Sequence, residues 1–95
     1  MKTGIVVLNF NDAKETVPFV EKIKSYNILD SIVVVDNAST DDSLTELRKI
    51  QGIHLIEMPS NTGYAAGNNA GLRYLYENDF DNYIISNPDI IIEKR

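Results

Sequence analysis

Alternation constrains this chain more than any other feature. Four short runs, mostly rich in β-branched residues, recur along it: Gly4–Leu8 (GIVVL), Ser31–Val35 (SIVVV), Ile53–Glu57 (IHLIE) and Asn82–Ile85 (NYII). Three are almost continuously apolar, as parallel strands buried on both faces are. IHLIE alternates more and is expected nearer a sheet edge. Stretches of helical spacing separate the runs. Residues 12–26 place Val17, Val20 and Ile23 on one stripe. Residues 40–50 place Leu44, Leu47 and Ile50 behind Ser39-Thr40-Asp41-Asp42, an N-cap signal with acids in the first turn. Residues 64–78 carry Ala66, Ala70, Leu72 and Leu75. Pro18 falls inside the first pattern, so that helix is expected to begin late or to kink. The order β-α-β-α-β-α-β specifies an α/β fold with an open parallel sheet and flanking helices.

Length and composition narrow the function classes. Ninety-five residues make a single domain, 1–95, with no linker or internal repeat. The net charge of −5 and pI near 4.6, with Lys and Arg scattered, argue against a nucleic-acid partner. The absence of cysteine excludes disulfides and thiolate metal sites. No run approaches the ~18 apolar residues of a membrane span, and the N-terminus lacks signal-peptide features. The expectation is a cytoplasmic protein.

Position is the informative property of the polar residues. Each strand ends in a polar cluster: Asn9-Phe10-Asn11-Asp12, Asp36-Asn37-Ala38-Ser39, Pro59-Ser60-Asn61-Thr62-Gly63 and Asn87-Pro88-Asp89. In an open parallel sheet these ends share one edge, where ligands bind. Asp36 has two readings, an acceptor for a base or ribose hydroxyl, or an Asx-turn residue closing the strand. Gly63, Gly67 and Gly71 recur every four residues, on one helical face. They suit either a helix start near a diphosphate or tight packing on the sheet. Asn61, Asn68 and Asn69 are harder to explain as packing, since Asn is a poor helix former. Neither GxGxxG after the first strand nor a P-loop is present. Asp89 beside Asn87 could hold a hard divalent cation, or Asn-Pro-Asp is simply a turn. His54, the one histidine, reads as a strand or surface residue. No nucleophilic triad or His/Cys metal cluster can be assembled.

Taken together, "IVVLNFND", "VVVDNASTDDS", "NTGYAAGNNAGL" and "YIISNPDI" resemble the N-terminal half of family 2 glycosyltransferases with the GT-A fold. The likeness runs over nearly the whole chain and is nearest the rhamnosyltransferase-like branch that builds bacterial surface polysaccharides. It implies a partial GT-A, Rossmann-like sheet of strand order 3-2-1-4 and an inverting transferase acting on a glycan or polysaccharide acceptor. The implied donor is a nucleotide-diphospho-sugar such as a UDP- or dTDP-sugar. The loop Asn9, Phe10, Asn11 would cradle base and ribose, and Asp36, with Asn37 beside it, would meet the pyrimidine. Asn61, Gly63, Asn68 and Asn69 would flank the nucleotide. Asn87 and Asp89 match the family's DxD-type motif for Mg²⁺ or Mn²⁺. Two departures stand out: Asn87 replaces the first acid, and Asn68 stands where an arginine is frequent. Catalytic base and acceptor site would follow that motif, so the chain is expected to be a truncated donor-binding half, inactive alone. The full-length enzyme would work in the cytoplasm or at the inner membrane face. Exposed Ile90–Ile92 at the cut edge would favour self-association.

Rival classes fare worse. A nucleotidyltransferase or other sugar-nucleotide enzyme would carry a Gly-rich loop with a basic residue after the first strand, where "NFNDAKE" has no glycine. A receiver-like binding module would need an acidic pair there, and Asp12 lies too far along with no second acid beside it. A non-catalytic interaction domain is the third alternative.

Overall fold

A computed structural model describes residues 2–61 and 63–86, with only the backbone of Tyr64. Its elements are β1 (Thr3–Asn9), α1 (Ala13–Tyr26), β2 (Ser31–Asp36), α2 (Ser43–Arg48), β3 (His54–Glu57), α3 (Tyr64–Glu77) and β4 (Asn82–Ser86). All pairings are parallel and the sheet order is β3-β2-β1-β4, as expected.

The two central strands alternate between two cores. Ile5 and Val7 of β1 and Ile32 and Val34 of β2 face α1 and α2, where they meet Val20, Ile23 and Leu47. Val6, Leu8, Val33 and Val35 face α3 and meet Leu75. A parallel strand buried on both faces needs such a continuous apolar run. Helix α3 approaches closely because of its glycines. A Cβ on Gly67 would lie 2.5 Å from Leu8 Cδ1, and one on Gly71 2.5 Å from Val6 Cγ1. Packing is therefore what these two glycines do. Gly63 does not share their face: it precedes the helix with φ +93°, a conformation that favours glycine, and has open space around it.

Three expectations need correcting. Helix α1 neither begins late nor waits for Pro18; it starts at Ala13 and holds Pro18 inside. Its first turn is fixed from outside. Glu15 and Thr16 N–H donate to Asp12 O, Ala13 N–H to Ser43 Oγ, and the Thr16 hydroxyl to Asn9. Pro18 lies exposed, where its missing N–H costs least. Helix α2 is shorter than the 40–50 pattern, because Thr40 and Asp41 give their N–H groups to Asn11 Oδ1 instead. Strand β4 is not buried on both faces. It is an edge, with Tyr83, Ile84 and Ile85 exposed by 41%, 41% and 52%. At the other edge, His54 of β3 stacks on Tyr74 of α3, 3.7 Å between centroids. Among the described residues no helix is long and apolar enough to cross a membrane.

Candidate functional site

The carboxyl ends of β1, β2 and β3 bring their polar residues together at one edge of the sheet, and alternation along each strand sorts them between its two faces. Asn9 and Asp36 are register partners facing α1 and α2. Both are buried, and they form a closed network. Asn9 Nδ2 donates to Asp36 Oδ1 at 3.0 Å, and Thr16 Oγ1 donates to Asn9 Oδ1 at 2.6 Å. Ser39 gives its hydroxyl to Asp36 Oδ1 at 2.6 Å and its backbone N–H to Oδ2 at 3.1 Å. Asp36 thus closes its own turn, and Ala38 at φ +60° bends the backbone so that Ser39 reaches it.

Asn11 ties the first loop to the second. At φ +49° its N–H donates to Ser39 Oγ, its Nδ2 to Thr40 Oγ1, and its Oδ1 accepts from Thr40 and Asp41 N–H. Of the Asn9–Asn11 loop, only Phe10 is left with a free side chain. Its ring is 42% exposed, a surface on which a planar group can stack.

Asn37, one residue past the end of β2, behaves differently. Its Nδ2 donates to Asn61 Oδ1 at 2.9 Å, while that oxygen also accepts from Gly63 N–H at 3.1 Å. Asn37 is 3% exposed, yet its Oδ1 has no donor among the described residues. Asn68 Oδ1 and Ser86 Oγ are likewise enclosed and without a partner there. Buried acceptors are normally satisfied, so such atoms mark places where water or a ligand belongs. Asn69 is exposed on α3. Asn87 and Asp89 lie outside the described residues, and among those described no group of acids and histidines could hold a metal.

A cleft of about 500 Å³ opens between the starts of α1 and α2, lined by Asn11, Lys14, Val17, Asp41 and Glu46 among others. Its acids outnumber its lone lysine, which does not suit a diphosphate. The polar strand ends are the better candidate. Sequence reasoning had not singled out Thr16 and Ser39 as site residues. Thr16 was legible as the polar member of the Val20, Ile23 stripe, buried completely.

The sequence profile of "Glycosyl transferase family 2" matches residues 4–85. The chain belongs to that family. A low-salt glycan biosynthesis hexosyltransferase, Agl10, of Haloferax volcanii is 32% identical over 92 residues, which is 96% of this chain and 29% of that protein. Among solved structures, the mannosyltransferase PcManGT of Pyrobaculum calidifontis, in complex with GDP-Man and Mn²⁺, superposes with a TM-score of 0.75. It is 23% identical, and the match covers 93% of this chain and 27% of that one. The likeness establishes the fold, a Rossmann-like sheet of the glycosyltransferase type. The chain spans less than a third of the length of either protein.

Proposed function

We propose that residues 1–95 carry the donor-binding part of an inverting glycosyltransferase that moves a sugar from a nucleotide-diphospho-sugar to a glycan acceptor. The observation that carries this is the strand-end edge. There a saturated network holds two loops rigid, beside an exposed Phe10 and an unpartnered Asn37 oxygen, in a chain of this family. Glycan-building relatives support the acceptor class. The four quoted motif segments are what favour the rhamnosyltransferase-like branch. We assign base and ribose to the Phe10, Asn37 and Asn61 region, with Asn68 and Asn69 along the flank. Asn9 then shapes the site from behind, and Asp36, whose Oδ2 accepts only the Ser39 N–H, keeps an acceptor position for the base.

The GDP-Man and Mn²⁺ of the structural neighbour support a divalent ion in the reading. Asp89 with Asn87 offers hard oxygen donors of the type Mg²⁺ or Mn²⁺ takes beside phosphate oxygens. Bound there, the ion would supply charge for the departing diphosphate. No residue described here is assigned as the catalytic base, and we expect residues 1–95 to bind donor without transferring sugar. We place the whole protein in the cytoplasm or at the inner membrane face, on the sequence grounds given above.

The test is an NMR titration of the chain with UDP, dTDP and GDP, with and without Mg²⁺. Shifts at Phe10, Asn37, Asn61 and Asp89 that sharpen with metal are expected. Perturbation confined to the cleft between α1 and α2 would overturn the placement, and sugar transfer by residues 1–95 alone would overturn the division of labour. The exposed β4 edge favours self-association as a second property. Light scattering should show dimer growing with concentration, and a monomer throughout would count against it.

A further inference from the structure

Resting on the donor-nucleotide reading, we propose that Thr16 of α1 is a positioning residue for the donor: its hydroxyl holds the Asn9 amide, and through Asn9 it aims the Asp36 carboxylate. Thr16 lies on the buried stripe of α1 with Val20 and Ile23 and is completely enclosed. Valine has the same shape and would fill that place without needing a partner. A buried hydroxyl costs free energy unless it is bonded. A helical threonine commonly turns its hydroxyl back to the carbonyl four residues earlier. Here the hydroxyl crosses instead to Asn9 Oδ1, at 2.6 Å.

The direction of this chain of bonds follows from its far end. An ionised carboxylate only accepts, so the Asn9 atom 3.0 Å from Asp36 Oδ1 is Nδ2. Asn9 therefore turns its Oδ1 to α1, and the Thr16 hydroxyl must donate. Asp36 has three internal donors among the described residues. Two of them, the N–H and hydroxyl of Ser39, belong to its own turn and move with it. Asn9 is the one that ties the carboxylate to a neighbouring strand. The terminal torsions of Asp and Asn are broad, so neither group is held by its rotamer alone. Without the Thr16 hydroxyl, Asn9 Oδ1 becomes a buried acceptor with no donor, which favours turning the amide away from Asp36. The Oδ2 position open to the base then loses its direction, although Thr16 itself never meets the nucleotide.

The experiment is calorimetric titration, with Mg²⁺, of the parent, Thr16→Val and Thr16→Ser. The ligands are UDP, dTDP, GDP and inorganic pyrophosphate, the last a probe without a base. The nucleoside diphosphate that the parent binds best should bind Thr16→Val about tenfold more weakly. Pyrophosphate should bind both alike, and Thr16→Ser should restore the nucleotide affinity. In an Asn9→Ala background, Thr16→Val should have no further effect on affinity. NMR of the parent keeps the test independent of how the variants fold. Its Asn9 side-chain amide and Thr16 hydroxyl signals should shift with the nucleotide and stay still with pyrophosphate. Unchanged nucleotide affinity in Thr16→Val, equal weakening of nucleotide and pyrophosphate, or parent signals that ignore the nucleotide would each overturn the inference and leave the donor reading standing. A folded parent that binds no nucleoside diphosphate would overturn both.

Discussion

Asp36 and Asn37 are adjacent in sequence and almost equally buried, at 2% and 3% exposure, but they do opposite things. Asp36 faces α1 and α2, where its Oδ1 accepts from Asn9 and the Ser39 hydroxyl and its Oδ2 from the Ser39 N–H. Asn37 anchors one amide atom on Asn61, and the other is left without a donor among the described residues. The difference lies in their partners: Asp36, the last residue of β2, bonds to Asn9 and Ser39, and Asn37, the next residue, bonds to Asn61. The lesson is that a polar residue at a strand's carboxyl end is not thereby a ligand contact. Asp36 builds the loop through three internal donors, and Asn37 keeps an acceptor that no described residue meets.

Stability measurements should separate the two residues. Asp36→Ala strips partners from Asn9 Nδ2 and from both donors of Ser39, so a loss of about 3 kcal/mol is expected. Urea denaturation reads it directly, and an unchanged midpoint would break the contrast. Gly71→Ala comes next, at about 2 kcal/mol, because the new Cβ meets Val6, stiff and fully buried. Gly67→Ala should cost less, since its obstacle is the far end of Leu8, and equal losses would mean α3 moves as a rigid body. Asn37→Ala should stay within about 1 kcal/mol of the parent, since it removes one hydrogen bond together with an unpaired acceptor. Its effect belongs to nucleotide affinity. A large stability loss without an affinity loss would reverse the roles assigned to this pair.

Much of the fold was legible, because strand continuity and helical stripes report burial directly. Val33, Val34 and Val35 had to lie in a doubly covered strand, and they do. The apolar run of β4 misled, since periodicity does not say whether a neighbour covers each face. Pro18 misled too, because the tertiary bonds that secure the first turn of α1 come from Asn9 and Ser43, far off in sequence or on another element. The polar ends of β1, β2 and β3 do gather at one edge of the sheet, as parallel strands in this order require. Which acceptor stays open depends on side-chain direction and on partners such as Ser39 and Asn61. Neither is encoded in the identity of an Asp or an Asn.

Asp41 sharpens the comparison from the solvent side. It is exposed, and its Oδ1 accepts the Ser43 N–H at 2.8 Å at the start of α2. The hydrogen bond from the Ser43 backbone, followed by one from its side chain, holds the carboxyl below its usual value of 3.8. The folded protein therefore takes up this proton less readily than the unfolded chain. The contribution is complete above the unfolded value and is lost as pH falls through the folded one. Asp41→Asn should accordingly lower the urea midpoint slightly near pH 7, with parent and variant converging below about pH 4. Solvent screens this acid, so the change should be the smallest of the set. An acid limb identical in parent and variant would mean that the Ser43 bonds do not discriminate between the protonation states. The start of α2 would then be held by bonds that do not depend on pH, among them those from the Thr40 and Asp41 N–H groups to Asn11 and from Ala13 N–H to Ser43.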